Sequence, residues 1–122
     1  MVENEVKKAL TVFNYAEKFK TSLIVASNLL ELLGEIKEDA ELAGAEKMLI
    51  AYFNALTLEV NIAANASKIE EFREIATNLQ KVIEHVKQHN PIVAQRLVSE
   101  AISMATTQGN WAAQKLRERN LI

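Results

Sequence analysis

Apolar residues in this chain recur at intervals of three and four, and nowhere do they alternate with polar ones for long enough to suggest a strand. Val6, Leu10, Phe13, Ala16, Phe19, Leu23, Ala26, Leu30 and Leu33 predict a helix from about Glu3 to Leu33, stopped at Gly34. Val12, Ile24, Leu29, Leu32 and Ile36 lie off that stripe. One buried face does not accommodate both sets.

A polar elbow, Glu35 to Asp39, separates this helix from a second over about Ala40 to Ala64. Asp39 is the expected N-cap, with Glu41 near the positive end of the helix dipole. Leu42, Ala45, Leu49, Tyr52, Leu56, Val60 and Ala63 form a stripe that Met48, Ile50, Phe53, Leu58 and Ile62 widen around most of the circumference. A helix that is apolar nearly all round is expected at the centre of its bundle or against a partner chain.

Ser67-Lys68-Ile69-Glu70 reads as a capping box opening the third helix. Ile69, Phe72, Ala76, Leu79, Ile83 and Val86 give it one clean face, flanked by Ile75 and Val82. Asn90-Pro91 starts the fourth helix, with proline in its first turn, and Val93, Leu97, Ala101 and Met104 carry the buried side. Gly109-Asn110 predicts an interruption, followed by a short fifth helix from Trp111 to about Arg119. A continuous helix is the alternative, since one glycine costs only about 1 kcal/mol in a helix. Gly109-Asn110-Trp111-Ala112-Ala113, after Ala101 and Ala105, resembles the turn between the two helices of a tetratricopeptide-type unit, which implies tight helix–helix packing. The short connections predict an all-α, antiparallel four-helix bundle forming one domain over residues 1–122.

Composition changes this picture little. The 122 residues include 49% hydrophobic and 25% charged side chains, with three Gly, one Pro and no Cys, so disulfides and thiolate chemistry are excluded. A formal charge of −2 lacks the basic field of a dedicated nucleic-acid binder. The stretch from Met1 to Lys8 has no apolar leader pattern, and Met48 to Leu58 is too short to span a bilayer. A cytoplasmic protein is the expectation.

Four constellations remain as candidate chemistry. His85 and His89, at i and i+4, have a spacing that suits two imidazoles on one metal, yet no other helix visibly completes the ligand set. Glu31, Glu35, Glu38, Asp39 and Glu41 gather carboxylates at the first elbow, where a divalent-metal-dependent enzyme would need a second acidic half-site. Arg96, Trp111, Lys115, Arg117 and Arg119 offer cations and a stacking surface for nucleic acid. The surplus apolar residues Ile24, Leu32, Ile36, Ile50 and Phe53 suit an interface. The expected function is therefore a non-enzymatic helical bundle, without cofactor, that self-associates or serves as an interaction subunit. A small nucleic-acid-associated subunit and a metal-dependent enzyme at the elbow are the alternatives.

Overall fold

The computed structural model describes residues 2–122, with side chains described from residue 4 onward. Met1 and the side chains of Val2 and Glu3, part of the stretch read for a leader, lie outside the described residues. The chain forms α1 (Val2–Leu33), α2 (Asp39–Ser67), α3 (Glu70–Lys87) and α4 (Pro91–Glu118), with no strand among the described residues. No helix is long and apolar enough to cross a membrane among those residues.

Hydrogen bonds and ion pairs between helices fix their directions. Tyr52 meets Ser22 and Lys18 meets Glu59, so α1 and α2 run antiparallel. Asn65 with Arg73 and Asn78 with Leu97 establish the same sense for α2–α3 and α3–α4. Gln95 with Ser27 and Lys115 with Glu5 do so for α4–α1. The result is an antiparallel four-helix bundle whose closest partners are α1 with α4, and whose sparsest seam lies between α1 and α2.

Heptad spacing explains the core. On α1 the buried residues are Ala9, Val12, Ala16, Phe19, Leu23, Ala26, Leu30 and Leu33, stepping strictly by three and four. Val12, expected off the stripe, belongs to it, and Leu10 points to solvent instead. On α2 the buried series is Glu46, Leu49, Phe53, Leu56, Val60 and Ala63. Phe19 and Phe72 meet edge to face at 5.6 Å, and Tyr15 stacks on Phe19 at 5.8 Å, so an aromatic group ties α1 to α3 across the core. Each such pair contributes about 0.5–1.5 kcal/mol beyond its buried area.

Three local expectations are corrected. The first helix boundary has Glu38 in the N-cap position, Asp39 is already helical, and no side chain caps the helix. Ser67 is the last residue of α2, not the cap of α3. Its hydroxyl donates to Ala63 O at 2.7 Å and accepts from Ile69 N–H, while Glu70 pairs with Arg73. Lys68, in the left-handed region at φ 60°, makes the reversal that a capping box would have shaped.

The third correction concerns α4, which runs unbroken through Gly109. There is no fifth helix and no tetratricopeptide-like turn. Gly109 is buried against α1, where an added Cβ would stand 3.4 Å from the Ala16 Cβ and 3.8 Å from Glu17 Oε1. Many of the buried residues along these two helices are small as well: Ala94, Ala101, Ala105 and Ala112 on α4, and Ala9, Ala16 and Ala26 on α1. The glycine therefore marks close helix approach. Gly109→Ala adds a methyl at ordinary contact distance and gains helix propensity, so it should leave stability unchanged or raise it by up to about 1 kcal/mol. Gly109→Leu overpacks the seam and should cost about 1–3 kcal/mol. Urea unfolding measures both.

Candidate docking surface

The sparse α1–α2 seam leaves a groove of about 560 Å³, lined by Leu29, Leu32 and Ile36 from α1 and its end, and by Ala45, Met48, Leu49, Ala51 and Tyr52 from α2. Helical geometry produces it. At about 100° per residue, Val25, Leu29, Leu32 and Ile36 fall on the flank of the α1 core stripe that faces α2. On α2 a second apolar stripe, Met48, Ala51, Ala55, Leu58 and Ile62, steps by three and four and runs outward from the groove wall. These side chains stand in water: Met48 is 76% exposed, Leu58 63%, and Leu32 and Ile62 55% each. Scattered surface leucines are ordinary, but here the exposed apolar positions align in one stripe beside an apolar groove.

Two polar contacts hold the seam at this width. The Tyr52 hydroxyl donates to Ser22 O at 2.9 Å, and beyond it Lys18 pairs with Glu59 at 3.4 Å. The ion pair is solvent-exposed and worth little, so Tyr52 is the stronger link. Its pKa is raised chiefly by burial of the phenol, with the hydrogen bond to Ser22 acting the other way and the nearby Glu59 charge adding to the rise.

The five residues expected at an interface do not form one surface. Leu32 and Ile36 line the groove. Ile24 is exposed on a different face of α1, and half-buried Ile50 turns to the opposite flank of α2. Phe53 is a correction: it is 0% exposed, inside the core, edge-on to Tyr52 at 5.8 Å. Val25, Met48, Leu58 and Ile62 supply the exposed apolar surface instead. On α2 the available signal was the three-and-four spacing of Met48, Ala51, Ala55, Leu58 and Ile62.

The basic residues are dispersed. Arg96 lies near the start of α4, about 30 Å along the helix from Arg117. Lys115 and Arg119 both reach Glu5, at 3.7 and 3.4 Å, which offsets their charge. Trp111 is half-buried against the core and borders a pocket of about 330 Å³ with Lys8, Ile69, Glu71, Thr107 and Gln108.

The histidines are separated too. α3 ends at Lys87, and His89 lies beyond it in the left-handed region at φ 59°, so the two rings do not share a helix face. His89 Nδ1–H donates to the carboxylate of Glu46 at 2.7 Å, linking the α3–α4 turn to α2. His85 Nδ1 is buried without a hydrogen-bond partner among the described residues. Asn78 is buried, and its amide donates to Leu97 O and Glu100 Oε2. Glu31, Glu35, Glu38, Asp39 and Glu41 are all exposed. Among the described residues no group of three or more carboxylate or imidazole side chains is arranged to hold a metal ion.

Tyr52 yields a test of the seam. Because its folded-state pKa lies above the ordinary 10, the neutral phenol is favoured in the folded chain. Its contribution is therefore complete below about pH 10 and is lost as pH rises through the folded value. Absorbance titration near 295 nm should show tyrosine ionisation extending above pH 10, and Tyr52→Phe should remove that late component at a cost of about 1 kcal/mol.

Comparison with protein-family models, curated proteins and solved structures finds no match for the chain.

Proposed function

We propose that this protein is a non-enzymatic interaction or structural subunit that docks a protein helix against its α1–α2 face. The observation that carries the reading is the outward stripe of Met48, Ala51, Ala55, Leu58 and Ile62 alongside a groove walled by Leu29, Leu32 and Ile36. An amphipathic helix laid along such a face places anchors at i, i+3, i+4 and i+7, the spacing that both walls already have. The apolar groove offers a docking helix little polar chemistry: Tyr52 brings a hydroxyl, and that is engaged by Ser22.

The dispersed basic residues give no comparable support to nucleic-acid binding, and the exposed elbow carboxylates give none to metal-dependent catalysis. The docking reading is tested with an apolar fluorescent probe, anilinonaphthalene sulfonate, added to the chain at low micromolar concentration. Saturable binding by the cooperatively folded protein is expected, and the double variant Leu32→Glu, Met48→Glu should lose most of it. Both side chains already face water, so melting should stay within about 0.5 kcal/mol of the parent chain. A folded chain that binds no probe, or a variant that binds it unchanged, would contradict the reading.

A further inference from the structure

Resting on the docking reading, we infer that the helix received by this face is α2 of a second copy, packed antiparallel about a two-fold axis beside Phe53. A two-fold interface must be complementary to itself, so each residue finds its counterpart at an equal distance on the other side of the axis. The outward positions of α2 meet that condition in spacing and in size. Gly44 and Ile62 lie nine residues either side of Phe53, Met48 and Leu58 five, and Ala51 and Ala55 two. The pairs are a glycine with a branched side chain, two long apolar side chains, and two alanines where the helices cross most closely.

Gly44 supports this arrangement independently. It sits in the first third of α2, takes no positive φ, and a Cβ placed there would meet nothing within 4 Å. Its own bundle gives no reason for a residue that costs a helix about 1 kcal/mol relative to alanine. The antiparallel register lays Ile62 of the second copy over it. In the same register Leu58 of the second copy lies over Met48, at the mouth of the groove.

The flanks are compatible with self-pairing. In an antiparallel two-fold pair each flank meets the same flank of its copy, so a run of like charges there would repel. The flank of the stripe that faces away from α1 carries Asn54, Asn61 and Asn65 with Lys47 and, hydrogen-bonded to Asn65, Arg73 of α3. The α1-facing flank carries Glu41 and Glu59, the latter paired with Lys18. Asn54 falls one residue from the axis and meets its own copy, and an amide both donates and accepts hydrogen bonds. The two Lys47 side chains are held about 18 Å apart along the axis. The α2 stripe with the α1 wall beside it makes a face about 28 Å long and about 20 Å wide. In projection that is about 560 Å², roughly two-thirds of the 800 Å² each partner gives a standard stable interface.

The chain has no cysteine, so introduced thiols report the register directly. Met48→Cys and Leu58→Cys chains should each stay uncross-linked alone under mild oxidation, because identical positions are about 15 Å apart along the axis. Mixed together they should form a disulfide-linked dimer. Light scattering of the unmodified chain should give twice 13.7 kDa at high micromolar concentration, and Ile62→Glu should weaken the dimer at least tenfold with melting of the isolated chain unchanged. A monomer at every concentration overturns the second copy, while probe binding in that case leaves the docking reading standing. A dimer in which Met48→Cys cross-links with itself, or in which the mixed pair does not, overturns the register.

Discussion

The close approach of α1 to α4 sets the shape of the molecule. Ala9, Ala16 and Ala26 on one helix and Ala94, Ala101, Ala105, Gly109 and Ala112 on the other are small and buried, and these two helices are the closest pair in the bundle. At Gly109 even one added carbon would reach contact distance with Ala16. Small side chains bring little hydrophobic free energy each, but they let the two backbones interdigitate at interior density. Larger core residues, Phe19, Phe53, Phe72 and Leu79 among them, then fill the space between the α1–α4 layer and the α2–α3 layer.

α1 lies closest to α4 and is packed most sparsely against α2. α1 carries Val25, Leu29 and Leu32 on the flank opposite α4, and there the seam with α2 stays wide enough for a groove. Tyr52 bridges it at one level through Ser22. The two layers are thus joined firmly on the α3–α4 side, where Asn78 reaches Leu97 and Glu100, and openly on the α1–α2 side. The second stripe of α2 begins at the edge of that opening.

The sequence made the helices legible because periodicity is a local property and the breaks are few. It also revealed that helices 1 and 2 carry more apolar residues than one buried face requires. It did not reveal which residues are the surplus. Val12 and Phe53 looked like extras on a straight-helix reading, yet the heptad register takes both into the core and turns Leu10 out. That choice depends on which neighbour each helix leans toward, and the alanines that decide it are weak signals individually. Gly109 misled for a related reason: a glycine that ends a helix and one that lets another helix come close look alike in one dimension. Ser67 likewise bonds both within α2 and across the turn, so its place as the last residue of α2 follows from tertiary structure and not from the capping pattern.

The central claim is that the α2 stripe is solvent-exposed in a single chain and covered when chains meet. Methyl NMR with a soluble paramagnetic agent, recorded over a range of protein concentrations, tests it most directly. In dilute solution the methyls of Met48, Leu58 and Ile62 should relax strongly while those of Leu30, Leu49 and Leu56 remain protected. As concentration rises, protection should grow at the stripe and at Leu29 and Leu32 beside it, and not at Leu10, Ile24 or Ile92 on other faces. Stripe methyls protected even at high dilution, or equally exposed at every concentration, would contradict the account.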